Sequence, residues 1–315
     1  MILARGETYP DIKLSAAEGY IYFFTAAGKA YVDEMLGWAE LSSWSEHVAA
    51  GSKVLVDGVE TFYVERGGGR AVLLVHGWAS SSFSWRNSLP TLSKRYRTIA
   101  VDLPGFGMSQ RLPTGLHLEN LALHLTRFLD IIGVEKFSLI GHSMGGVVST
   151  YVAASWPSRV EKLVLVNPSL FGSEAGRRPI MMEVARKRPF GGLLTRLFVS
   201  RFIIRRVLRN VYVRKELVDD YLVEGYYQSV KRAGTVLLEA VNIMREFSLD
   251  VVSRITCPTL FVLGEHDTIV PFEKCRQLAE QIGARIYVDP GSGHSVHEEN
   301  PAAVNNVILE FLKDC

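Results

Sequence analysis

The sequence predicts an α/β fold: a mostly parallel central sheet flanked by helices, with a helical insertion. Three observations predict it. Short apolar runs alternate with segments of helical spacing from Ala71-Val72-Leu73-Leu74-Val75 onward. One run, Phe137-Ser138-Leu139-Ile140, passes directly into Gly141-His142-Ser143-Met144-Gly145-Gly146 and then the helix-like Val147–Ala154. The alternation stops between Pro168 and about Val252, then resumes at Thr259-Leu260-Phe261-Val262-Leu263.

Taken in order, residues 1–50 read as an N-terminal helical extension. From Ala16 to about Leu41, Thr25, Lys29, Asp33, Gly37 and Glu40 recur at spacings of three or four, a narrow polar stripe on an apolar helix. Its longest apolar run is far short of the ~20 residues that span a bilayer. Lys53–Val56 and Thr61–Glu65 read as strands joined at Asp57-Gly58. Ala71–Val75 is unbroken in its apolarity, as in a strand covered on both faces. Thr98–Val101 and Lys162–Val166 are further strands, and a helix starts near Ser82. Leu116–Ile132 has helical spacing. After the insertion come a helix from Phe272, a strand at Ala284–Val288 and a helix over Pro301–Leu312. The resulting organisation is 1–50 extension, 51–168 first part of the core, 169–252 helical cap and 253–315 second part of the core.

Composition sets bounds. With 48% hydrophobic and 22% charged residues in 315, the chain is an ordinary globular protein. Three scattered cysteines, Cys257, Cys275 and Cys315, make neither a disulfide framework nor a thiolate metal site. No secretory leader is evident in the first residues, so a cytoplasmic location is expected. Net charge is only +2, but residues 174–215 hold 12 lysines and arginines against two acids, a net +10 that leaves −8 for the rest. No nucleic-acid-binding motif accompanies that charge.

The turn at 141–146 is where chemistry is expected. A strand reversing into a helix crowds the positions two before and two after the turn residue. Glycine fits at 141 and 145, and Ser143 is lifted out in a strained conformation. A serine hydroxyl needs a base, and the base needs an orienting group. Asp267 in Gly264-Glu265-His266-Asp267 and His294 in Gly291-Ser292-Gly293-His294 follow the next apolar runs. Strand carboxyl ends converge on one edge of an open parallel sheet, where ligands bind.

These residues, with His76-Gly77-Trp78, the Asp102–Ser109 turn and Asp267-Thr268-Ile269-Val270-Pro271, resemble the α/β-hydrolase family over roughly residues 52–314. The resemblance is to serine esterases and lipases with a helical cap. It implies that Ser143 is the nucleophile, His294 the general base and acid, and Asp267 the residue orienting His294. The backbone N–H groups of Trp78 and Met144 would form the oxyanion hole, with Gly77 and His142 at the substrate pocket. Glu265 is the runner-up acid. His297, three residues after His294, has no further ligand at a suitable spacing, so no metal and no cofactor are expected. His76, Asp102, Gly105 and Gly107 are expected to hold loops in shape.

The expected reaction is hydrolysis of a carboxylic ester through an acyl-enzyme, with a hydrophobic, lipid-like acyl group suited to a cap rich in Leu, Ile, Phe and Val. One rival is carbon–carbon bond hydrolysis of a vinylogous diketone, whose enzymes usually have a Gly/Pro-rich oxyanion loop unlike His76-Gly77-Trp78-Ala79-Ser80. The other is a non-catalytic binding protein on the same fold. Within the cap, Leu193–Val213 reads as a basic amphipathic helix with Arg201, Arg205 and Arg209 at i, i+4 spacing. Peripheral membrane contact through residues 16–44 and 193–213 is the associated expectation. Its rival is pairing of those arginines with acids of the same protein.

Overall fold

A computed structural model describes residues 14–17, 20–23, 43–171 and 199–313. It divides into two compact units, Met1–Leu41 and Ser42–Cys315. In the first, β1 (Leu14–Ala17) and β2 (Tyr20–Phe23) pair antiparallel, Leu14 opposite Phe23. The helix expected from Ala16 is therefore not formed over residues 16–17 and 20–23. Tyr20-Ile21-Tyr22-Phe23 is all aromatic or β-branched, side chains that lose rotamer freedom in a helix and suit a pleated strand. Residues 24–41 of that expectation lie outside the described residues.

The second unit opens with α1 (Trp44–Ala49), capped by Ser43, and contains an eight-stranded sheet. The strands are β3 (Ser52–Val56), β4 (Val59–Arg66), β5 (Ala71–Val75), β6 (Arg97–Val101), β7 (Phe137–His142), β8 (Val160–Val166), β9 (Thr259–Gly264) and β10 (Arg285–Asp289). Their order is β10-β9-β8-β7-β5-β6-β4-β3. Every pairing from β10 to β6 is parallel, and β4 is antiparallel to both its neighbours.

The apolar runs are buried on both faces because side chains alternate along a strand. Leu73, Val75, Leu139, Leu165 and Phe261 enter one core cluster. Val72, Leu74, Ile140, Val164 and Val262 enter the other. The first is covered by α3 (Leu118–Ile131), α4 (Met144–Ser155) and, later, α8 (Phe272–Gln281). The second is covered by α9 (Pro301–Lys313), through Val304, Ile308 and Phe311. The helix expected near Ser82 is a 3-10 turn, Ser82–Trp85, followed by the short α2, Leu89–Leu92.

Between β8 and β9 the described residues form helices and no strand. These are α5 (Arg201–Val211), α6 (Asp220–Ala233) and α7 (Val236–Glu246), with two short 3-10 turns. The basic helix expected over Leu193–Val213 starts at Arg201, where the Ser200 hydroxyl accepts the Ile203 N–H. Residues 193–198 lie outside the described residues. No helix among the described residues is long and apolar enough to cross a membrane.

Candidate active site

The turn between β7 and α4 has the geometry its glycines predict. Ser143 sits at φ 53°, ψ −116°, in the region that L-residues rarely adopt. A Cβ on Gly141 would lie 2.4 Å from the Gly145 carbonyl oxygen, and one on Gly145 would lie 2.4 Å from that of Val75. Only glycine allows the strand and helix to approach so closely.

Three strand ends bring their residues to this turn. Ser143 Oγ is 3.0 Å from His294 Nε2, and His294 Nδ1 is 2.8 Å from Asp267 Oδ2. The Asp267 side chain is 1% exposed, and its Oδ1 accepts the N–H groups of Ile269 (2.7 Å) and Val270 (2.9 Å). Glu265 is exposed and its N–H goes to the Asp289 carbonyl; its carboxylate makes no contact with His294 among the described bonds. A carboxylate oxygen accepts only, so His294 Nδ1 carries the proton and Nε2 is free to take one from Ser143. Such a relay can deprotonate a hydroxyl as it attacks.

The backbone N–H groups of Met144, at the start of α4, and Trp78 have no partner among the described residues. A Cβ on Gly77 would lie 3.2 Å from Ser143 Cβ, so the loop carrying Trp78 passes directly over the serine. That loop is fixed from both sides. Trp78 Nε1 donates to the Leu237 carbonyl of α7 at 2.8 Å. His76 donates from Nδ1 to the Gly77 carbonyl and accepts the Leu103 N–H at Nε2, and burial holds its pKa down at about 4. Asp102 accepts the N–H groups of Ser82 (2.6 Å) and Met108 (2.7 Å), and a Cβ on Gly107 would strike its carboxylate. His76, Asp102 and Gly107 thus shape loops, as expected.

His142 packs beneath His294, ring centroids 4.9 Å apart, and against His297 at 4.5 Å. It is only 5% exposed, so it offers a substrate little surface. Its Nε2 donates to the His294 carbonyl at 3.0 Å, and burial first, then the neighbouring His297 and His294, push its pKa well below the usual range. His297 lies between Trp85 and His142 in the core. Among the described residues no three His, Cys, Asp or Glu side chains are grouped to hold a metal.

Several residues here were not singled out from sequence. Asn167, directly after β8, is 2% exposed with φ +40°. Its Nδ2 donates to the carbonyls of Gly293 (2.9 Å) and His294 (2.8 Å), and its Oδ1 accepts the Gly264 N–H at 3.0 Å. Ser169 Oγ lies 3.1 Å from Ser143 Oγ. Glu299 accepts the Gly293 N–H at one oxygen and the N–H groups of Val213 and Arg214, just beyond α5, at the other. Buried Glu298 pairs with Arg86 and accepts Tyr212 OH (2.7 Å) and Tyr226 OH (2.5 Å). The histidine loop is thereby tied to the insertion. The signal for Asn167 and Ser169 was their place: both follow β8 at the same sheet edge as the other site residues.

A model of the alpha/beta hydrolase fold family matches residues 70–301. YugF of Bacillus subtilis, described as an uncharacterized hydrolase, is 30% identical over 279 residues, which cover 85% of this chain and 100% of that one. A 2-hydroxy-6-oxo-6-(2'-aminophenyl)hexa-2,4-dienoic acid hydrolase of Metapseudomonas resinovorans is 29% identical over 293 residues, 88% of this chain and 96% of that one. A thermophilic esterase from Thermogutta terrifontis superposes with a TM-score of 0.70 at 26% identity, covering 84% of this chain and 98% of that one. With its eight-stranded sheet and the edge at which Ser143, Asp267 and His294 meet, this chain belongs to the alpha/beta hydrolase fold family and is a hydrolase.

Proposed function

We propose that the protein is a serine hydrolase that cleaves carboxylic esters through an acyl-enzyme. The carrying observation is the Ser143–His294–Asp267 relay at 3.0 and 2.8 Å beside two backbone N–H groups that have no partner among the described residues. Ser143 Oγ attacks the ester carbonyl while His294 Nε2 takes its proton. The tetrahedral oxyanion is bound by the N–H groups of Trp78 and Met144, each such donor typically worth about 10²–10³ in rate. His294 returns the proton to the departing alcohol. Water, deprotonated by His294, then releases the acid and restores Ser143. Asp267 holds the imidazole in its tautomer and stabilises the imidazolium.

A hydrophobic acyl group suits the insertion, whose α7 turns Val236, Leu237, Ala240 and Ile243 inward, with Val236 against Gly105 of the core. Rates over p-nitrophenyl esters of increasing chain length, run beside a monoacylglycerol, test this reading. Turnover should rise with chain length and show a burst of p-nitrophenol. Absence of both burst and turnover over all chain lengths would overturn it. A second reading, cleavage of a carbon–carbon bond in a vinylogous diketone, draws support from the 29%-identical relative named above. A diketone substrate in the same assay, turned over faster than every ester, would favour it.

Lipid-like esters reside in membranes, and α5 supplies a face suited to one. Arg201 and Arg205 are engaged by Glu224 and Asp220 of α6. Phe202, 75% exposed, stands with Ile203 and Val207 beside the exposed Arg206 and Arg209. Aromatic and aliphatic groups among arginines fit an anionic bilayer surface. Flotation with phosphatidylglycerol vesicles should recover the protein at low salt and lose it at high salt or after Phe202→Asp. Recovery from neutral vesicles alone, or none at all, would remove this part of the proposal.

A further inference from the structure

We propose that Ser169 is a second catalytic hydroxyl, donating a hydrogen bond to Ser143 Oγ and stabilising the charge that this oxygen carries as it attacks and as it departs. The inference deepens the ester-hydrolase reading and rests on Ser143 being the nucleophile.

Proton bookkeeping sets the direction of the bond. Asp267 fixes the His294 proton on Nδ1, so Nε2 accepts, and the one hydroxyl proton of Ser143 points to it at 3.0 Å. The second contact of Ser143 Oγ, to Ser169 Oγ at 3.1 Å, then has only one possible donor. That donor is Ser169. Its hydroxyl reaches a lone pair of the oxygen that reacts.

The placement is built into the fold. Ser169 is buried, its backbone N–H donates to the Ser143 carbonyl at 3.1 Å, and the neighbouring Leu170 N–H closes onto Pro168. Asn167, with φ +40° and three hydrogen bonds to the strand-end loops, turns the chain so that the serine two residues on faces the elbow. Pro168 packs against Gly146 of α4, which leaves this turn little room to shift.

The chemistry follows from charge. In the resting enzyme the bond joins two neutral hydroxyls. As Ser143 loses its proton to His294, and again when Oγ leaves the acyl group during deacylation, the acceptor becomes partly anionic. Hydrogen bonds to charged acceptors are roughly twice as strong as neutral ones, so the contact favours both transition states over the ground state. No new bond to Ser169 forms, and its proton stays on its own oxygen throughout.

The test uses the full chain, a fluorophosphonate probe and p-nitrophenyl butyrate. Ser169→Ala should lower the rate constants of Ser143 phosphonylation, acylation and deacylation together by about 10- to 100-fold, with KM within about threefold and an unchanged melting temperature. Ser169→Thr, which keeps the hydroxyl, should stay within about fivefold of the parent. Ser169→Cys, which fills the same space with a weak donor, should resemble Ser169→Ala. Parent-like rates in both Ser169→Ala and Ser169→Cys would overturn the inference while leaving the nucleophile in place. So would an equal loss in Ser169→Ala and Ser169→Thr that tracks a drop in melting temperature. A parent enzyme that neither reacts with the probe nor shows a burst would instead remove the nucleophile reading, and this inference with it.

Discussion

Asn167 donates its side-chain N–H to the carbonyl oxygen of His294 at 2.8 Å, while its own oxygen holds the N–H of Gly264, three residues before Asp267. One buried amide therefore sets the spacing between the loop carrying the acid and the loop carrying the imidazole. Asn167→Asp replaces two donors by a carboxylate facing the Gly293 and His294 carbonyls. It is expected to lower kcat by at least about tenfold and stability by about 1–3 kcal/mol for each donor lost. Asn167→Ala adds the strain of a positive φ. Urea unfolding and steady-state kinetics on both variants check this, and a parent-like kcat in Asn167→Asp would contradict it.

The relay itself predicts an order of effects. Ser143→Ala and His294→Ala should each leave less than about a thousandth of the parent kcat. Asp267→Asn should be severe, because the amide offers a donor where Nδ1–H needs an acceptor. Glu265→Gln should be mild, since that side chain is exposed and its backbone only braces Asp289. Measured kcat values in the reverse order for 265 and 267 would reassign the acid.

Glu298 should matter for stability. Its carboxylate is the shared acceptor for Arg86, Tyr212 and Tyr226, and burial, with Glu298 close by, pushes both tyrosines well above their usual range, so they remain donors. Glu298→Ala removes the acid partner of the largely buried Arg86, which keeps only the Phe83 carbonyl among the described residues, and is expected to cost about 3 kcal/mol, the lower end for breaking a buried pair. Tyr226→Phe removes one bond and should cost about 1 kcal/mol. Chemical denaturation of the two variants decides, and equal losses would argue against a shared acceptor.

Acid should weaken the fold. Burial lowers His47 to about 3 and His76, His124 and His297 to about 4, and it takes His142 well below its ordinary 6.5. Below pH 6.5 the unfolded chain binds protons at these five sites that the native state refuses, so stability rises with pH there. It is present in full above about pH 6.5 and is lost progressively as pH falls toward 4. Asp102, raised by burial from 3.8 to about 6, acts in the opposite sense, since the native state holds its proton more firmly between those values. One group against five leaves a net loss. The melting temperature is expected to fall from pH 7.5 to pH 5, and a flat or rising profile would contradict it.

Sequence made the sheet legible because buried parallel strands are short, largely apolar and set directly against chemically distinctive turns: Val75 precedes His76, and Ile140 precedes the Gly141–Gly146 turn. The same adjacency exposed Ser143, Asp267 and His294. Asn167 and Ser169 were hidden because Asn-Pro-Ser after a strand reads as an ordinary turn, and their partners lie 126 and 26 residues away. Glu298 and Glu299 were hidden for a related reason. A carboxylate pair opening a helix reads as solvated, and only the insertion folding back with Tyr212, Tyr226 and the Val213 N–H buries it. At the N-terminus the span expected as helix overlaps the paired strands at 16–17 and 20–23, while the polar residues whose spacing suggested it, Thr25 to Glu40, lie outside the described residues.

In the proposed mechanism the base lies 151 residues downstream of the hydroxyl it serves. In that reading Ser143 stays an ordinary alcohol until β10 is paired with β9 and the loop behind it sets His294 within reach. Domains generally fold as units, and Ser42–Cys315 is one compact unit, so the elbow and its partner histidine are expected to form together. A product truncated before residue 294 lacks that histidine and is expected to show no hydrolysis. The proposed activity therefore depends on the last strand of the sheet and the loop that follows it.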